Sequence, residues 1–175
     1  FVQSSWEQFF SVWFKAAIDE PLLSARDAVV PSPLMPHLLA DWVAARVSHH
    51  APDGSLARVP VSVVPATPWE RAGLDGAHYA SFATWMCPIN CVEPARCPET
   101  RGPRDWTMPV SVRHAADRAA AQGTLYDLVA LFHTTHRAYG VGMFDVADAI
   151  TAESGIRALC DASSATRRAL VASVS

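Results

Sequence analysis

Three thiols crowd one short segment of this sequence. Cys87, Cys91 and Cys97 follow the spacing C-x3-C-x5-C inside "CPINCVEPARCPETRGPRDW", which holds three of the chain's four cysteines. An odd number of sulfurs cannot all pair with one another, and three soft ligands on one loop suit an iron–sulfur cluster or a zinc ion. The spacing matches neither the paired C-x2-C units of a zinc ribbon nor the ferredoxin run, so it does not choose between metals. The expectation is an iron–sulfur cluster, with zinc as the alternative. A metal-free reading stands beside both: one disulfide with a free thiol, or three reduced cysteines.

Prolines 88, 94 and 98 fix φ along the segment and discourage helix, leaving a stiff but irregular loop. A stiff loop loses less chain entropy when its sulfurs are engaged. Arg96, Arg101 and Arg104 place positive charge beside the thiols, which would favour thiolate or line an anion site. Glu93, Glu99 and Asp105 read as solvated loop charges, since nothing marks a paired acid and base. A cysteine nucleophile served by His133 is conceivable, although a nucleophile needs one activated thiol and gains nothing from two more. No reaction is named by these residues, and whether the chain is an enzyme stays open.

Candidate ligands beyond the loop are His133 and His136, at the end of the apolar run "LYDLVALFH". Either would complete a set of three sulfurs and one nitrogen, giving metal ligands Cys87, Cys91, Cys97, His133 and His136. The ordinary alternative for each histidine is a hydrogen-bonded side chain near the surface. Cys160 sits at core spacing with Ile156 and Leu159 and reads as a buried, inert thiol.

The elements that must position these groups follow from periodicity. Ser4 to Ile18 carries Trp6, Phe9, Phe10, Trp13 and Phe14 at helical steps. Its aromatic face suits the chain's own core, and Trp6, Phe10 and Trp13 suit a docked protein partner. "AVVP" from Ala28 reads as a short strand, and a helix capped at Ser32-Pro33 runs to about His50. His37, His49 and His50 then read as solvated or capping residues.

A strand over Arg58 to Ala66, a brief helix between Thr67 and Gly73, and a strand over His78 to Trp85 lead into the loop, residues 86–107. Beyond it come an alanine-rich helix stopped by Gly123, a strand over Leu125 to His133, and a turn at Gly140 and Gly142. Helical segments over Val146 to Ile150 and Ile156 to Leu159 precede a closing strand over Ala169 to Val174.

Alternation of helix and strand predicts one α/β domain over residues 1–175, in three layers with a largely parallel sheet flanked by helices. An α+β arrangement with a mixed sheet is the alternative. In the α/β case the loop and His133 would share the crevice at the carboxyl ends of the strands.

Half of the 175 residues are apolar, enough for a substantial core. A net charge of −3 gives no footprint for nucleic acid. No apolar run reaches the roughly 18 residues of a membrane span and no signal peptide opens the chain, so a cytoplasmic location is expected. Phe1 in place of Met suggests a piece of a longer chain. The reading in full is a metal-binding module, most simply an iron–sulfur carrier in a redox or electron-transfer setting within a larger complex. A structural-zinc interaction protein without catalysis is the alternative.

Overall fold

The computed structural model describes residues 3–24, 26–31, 37–74, 76–88, 91–162 and 167–174. Its elements are α1 (Trp6–Asp19), α2 (Pro21–Ser24), β1 (Ala28–Val29), α3 (Leu38–His50), β2 (Trp69–Ala72), β3 (His78–Ser81), α4 (Met108–Ala121), β4 (Leu128–His133), β5 (Thr135–Ala138), β6 (Val141–Asp145), α5 (Val146–Asp161) and β7 (Ala169–Val174). The expected cap at Ser32-Pro33 lies outside the described residues.

The architecture is mixed α+β, which corrects the three-layer α/β expectation. Strands β1, β6 and β5 form one antiparallel sheet and β2 and β3 a separate antiparallel hairpin, leaving β4 and β7 as a parallel pair. Prolines are the main reason. Arg58 to Ala66, where a strand was expected, has no regular structure, and Pro60 and Pro65 lack the N–H that a ladder needs. The chain pairs only afterwards, so Trp69–Ala72 is a strand where a brief helix was expected. Likewise "YGVGMFD" is no isolated turn but the bend and second strand of the β5–β6 hairpin, with Gly140 at φ 69° supplying the left-handed residue.

Two cores flank the β4–β7 pair. On one face Ala130 and Phe132 of β4 meet α1, α3, α5 and β6 in a cluster whose rings interlock: Phe14 lies 4.9 Å from Trp42, and Phe132 lies 6.0 Å from Phe144. Phe14, Phe132 and Phe144 are completely buried, and truncating one to alanine would cost about 3–5 kcal/mol. On the other face Val112 and Ala116 of α4 pack on Leu170 and Val174 of β7.

Helix α1 begins where Ser5 Oγ accepts the Gln8 N–H at 3.1 Å, close to the expected start. Phe10 belongs to the core and is therefore no docking anchor, while Trp6 and Trp13 are half-buried against the same cluster. One continuous helix, α5, replaces the two expected segments. Gly155 does not break it, because its bare Cα lets the helix approach β4 so closely that a Cβ would meet Leu128 Cδ1 at 2.5 Å. Among the described residues no helix is long and apolar enough to cross a membrane.

One buried charge ties α3 to α5. Glu153 is 1% exposed, and Arg46 grips its carboxylate with Nε at 2.8 Å and Nη2 at 2.6 Å while His50 Nε2 stands 2.7 Å away. His50 is thus a structural partner rather than a solvated or capping residue. Burial works to raise the Glu153 pKa, but the bonds from Arg46 and His50 outweigh it and hold the carboxyl below its ordinary value. A depressed carboxylate adds stability above its unfolded pKa and loses it as pH falls through the folded value. Glu153→Gln should lower unfolding free energy by about 3 kcal/mol, because it leaves the Arg46 charge buried and unpaired. Urea titrations from pH 7 into the acid range check both claims: the native chain should lose stability on acidification, and the variant should lose less.

Candidate functional site

The loop is built as a small hairpin rather than as an extension of a strand. β3 ends at Ser81, so the segment leaves the sheet earlier than Ala83 to Trp85. Ser81 Oγ marks the exit by accepting the Ala83 N–H at 3.0 Å. Arg104 N–H donates to the Ala95 carbonyl at 2.7 Å, Arg96 bridges Pro103, and Cys97 N–H donates to the Gly102 carbonyl at 3.0 Å. At the tip Arg101 is left-handed (φ 57°) and its N–H returns to the Cys97 carbonyl at 2.8 Å. Upstream, Cys91 N–H reaches the Pro88 carbonyl at 2.9 Å, which draws Cys91 back towards Cys87.

The three cysteines do converge. Cys87, Cys91 and Cys97 line one cavity of about 210 Å³, whose walls also carry Glu93, Arg104 and His136. Phe82, Trp85 and Trp106 supply its apolar side, with the Phe82 and Trp106 rings 5.9 Å apart. His136 is brought in from β5. Gly142 on β6 makes room for its ring, since a Cβ there would stand 2.7 Å from Thr134 Cγ2 and 3.3 Å from His136 Cδ2. His133 is not part of the cavity: its backbone N–H donates to Asp148 at 3.3 Å and its imidazole stands in the field of Asp145 and Asp148. The expected shared crevice for His133 therefore fails, because the chain turns directly from β4 into β5.

All four cysteines are free thiols. Among the described residues, no group of three or more histidine, cysteine, aspartate or glutamate side chains is arranged to hold a metal ion. The iron–sulfur and zinc descriptions of the loop are corrected on that ground. His136 faces Glu93 at 3.4 Å, and the backbone N–H of His133 donates to Asp148, which leaves His133 away from the sulfurs. The Cys97 sulfur is held by its own turn, chiefly by the Thr100 N–H, with the Thr100 hydroxyl and the Glu99 N–H adding to it.

The sulfurs differ electrically. At Cys97 the Thr100 N–H leads in holding the thiol below its ordinary pKa, an effect expected instead of the neighbouring arginines. At Cys87 burial leads in pushing the thiol up, aided by the proximity of Cys91, with which it is in hydrogen-bonding contact, and by Cys97. Cys160 is raised as well, mainly by burial against the core.

Glu93 was hidden in the sequence among ordinary loop charges. It lies in the left-handed region (φ 52°), with its carboxylate 3.1 Å from Arg104 Nη1 and 3.4 Å from His136 Nδ1. Four of the five expected metal ligands thus share a cavity with a carboxylate and a guanidinium that spacing did not single out. A left-handed glutamate leaves no local sequence signature comparable to glycine at such a position.

The electrical difference sets an order of reactivity. The pH midpoint of iodoacetamide alkylation should lie lower for Cys97 than for Cys87 or Cys160, although buried Cys97 reacts more slowly at its plateau, with sites assigned by peptide mass spectrometry. Thr100→Val should move the Cys97 profile up towards the ordinary thiol range, but only in part, because the backbone N–H remains. Coincident profiles for the three sites would contradict this ordering.

No curated protein and no solved structure matches the chain. The family model AF_1314_C, described as "Uncharacterized protein, C-terminal domain", matches residues 39–175. That range runs from α3 to β7 and takes in every residue of the cavity, while α1 lies outside it. The chain belongs to the AF_1314_C family.

Proposed function

We propose that the chain works as a thiol redox module, in which Cys87 and Cys91 form a dithiol couple that reduces small disulfides. One observation carries the reading: Cys87, Cys91 and Cys97 line one cavity, with Cys91 near enough to Cys87 to raise its pKa. The redox setting expected of the loop is kept, and sulfur itself supplies the electrons. A thiolate at one member of the pair attacks a sulfur of the disulfide substrate, and one half leaves as a thiol after taking up a proton. The second member attacks the mixed disulfide, the Cys87–Cys91 bond forms, and the other half leaves as a thiol. Two electrons and two protons pass from the pair to the substrate.

Direction follows from electrostatics. A couple whose reduced form is stabilised is an oxidant, whereas a thiol disfavoured as thiolate sits on the reducing side. Burial and the neighbouring sulfurs disfavour the Cys87 thiolate, which weighs towards the reducing side. This assignment includes a protein partner that receives or restores the electrons. Trp6 and Trp13 of α1, half-buried, offer a separate face for holding such a partner, Phe10 being taken up by the core.

Reaction of the reduced chain with 2,2′-dipyridyl disulfide should release two pyridinethiones per chain from the pair and leave a Cys87–Cys91 cross-link in peptide maps. Cys91→Ser should stop at a mixed disulfide on Cys87. The reading is overturned if no such cross-link forms, or if the purified chain retains a stoichiometric metal that leaves all three thiols unreactive.

A further inference from the structure

The cavity holds a charge arrangement that the thiol chemistry does not use. Arg104 and His136 converge on Glu93, and among the described residues these three are its ionisable groups besides the sulfurs. Their geometry is incomplete. His136 Nδ1 is 3.4 Å from the carboxylate, is shielded from solvent, and has no hydrogen-bond partner among the described residues. Arg104 makes one ion-pair contact to Glu93, at 3.1 Å, although a guanidinium can present two parallel donors to a carboxylate. Glu93 reaches this position from a left-handed backbone, a conformation disfavoured for a side chain that is not glycine.

The geometry points to Arg104 and His136 as the recognition pair for the acidic group of a small ligand, with the Glu93 carboxylate as the chain's own replaceable occupant of that position. The substrate class named above is thereby narrowed to disulfides that carry a carboxylate, and the inference rests on that reading for the disulfide alone. The Phe82, Trp85 and Trp106 rings give the ligand an apolar or aromatic body. At about 210 Å³ the cavity is below the usual range for ligand sites, about 300–1,000 Å³, and so suits a small acid rather than a nucleotide. Once the ligand acid meets the guanidinium, Glu93 swings away and its charge is returned to solvent.

Two readouts separate this inference from the thiol reading. In the first, benzoate and benzamide are titrated against the intact reduced chain and followed by ligand-observed NMR, with no covalent chemistry involved. Benzoate should bind in preference to benzamide, Glu93→Gln should tighten benzoate severalfold without altering benzamide, and Arg104→Gln should abolish the preference. Added salt should weaken benzoate alone. In the second, rates are compared for 5,5′-dithiobis(2-nitrobenzoate), which carries carboxylates, and 2,2′-dipyridyl disulfide, which carries none. Glu93→Gln should accelerate the first selectively.

Equal binding of the two probes, or a Glu93→Gln variant that weakens benzoate, overturns the recognition pair even if both disulfides react. Selective benzoate binding with inert thiols leaves the recognition pair standing and overturns only the disulfide. Circular dichroism of Glu93→Gln and Arg104→Gln should match the native chain. If either variant unfolds, the trio is a structural staple and the inference fails.

Discussion

The contact on which the site depends is the bridge from Arg104 through Glu93 to His136. The cysteine segment contains Pro88, Pro94, Pro98 and Pro103, which interrupt its backbone donors at intervals too short for a continuous ladder. Its regular pairing is confined to the short hairpin between Ala95 and Arg104. Buried Cys97 and the Trp106 ring, 5.9 Å from Phe82, pack the hairpin against the chain. Glu93 sets the charge geometry of the cavity, because Arg104 on the hairpin and His136 on β5 both meet it, and β5 is anchored through β6 to the aromatic core. The left-handed backbone at Glu93 costs about 1–2 kcal/mol, which the partly buried ion pairs offset.

Proline explains both what the sequence revealed and what it concealed. Helices α1, α4 and α5 and strands β4 and β7 are legible because their burial repeats every 3.6 or 2 residues, a signal that survives without knowledge of neighbours. Pairing carries no such signal. The run Arg58 to Ala66 is as rich in β-branched residues as a strand should be, yet its prolines leave it without a ladder, and the α/β expectation rested on counting it. Alternation along the chain is then misleading: β5 follows β4 through a single residue and pairs antiparallel with β6, so only β4 and β7 keep the parallel arrangement.

Convergence of the three sulfurs follows from their close spacing, whereas His136 arrives through the β5–β6 hairpin and not alongside His133. His133 and His136 part company, because Thr134 turns the chain and leaves His133 on the Asp148 side. The partnership of His50 with Glu153 was beyond reading for a different reason. The two residues are 103 positions apart, and their contact follows from the packing of α3 on α5 rather than from any local pattern.

The two ion clusters show why one is scaffold and the other a site. At Glu153 both carboxylate oxygens accept short bonds, from Arg46 at 2.8 and 2.6 Å and from His50 at 2.7 Å, and the group is almost wholly out of water. Charges withdrawn from solvent are tolerable only when their hydrogen bonds are complete, and here they are. At Glu93 the side chain keeps 18% of its surface, one contact lies at 3.4 Å, and a shielded histidine nitrogen goes without a bond. Breaking the first arrangement strands a buried charge, whereas breaking the second exposes groups that water or a ligand can satisfy. A carboxylate held that loosely, in a cavity that also presents reactive sulfur, is placed to exchange with another carboxylate rather than to hold the fold together.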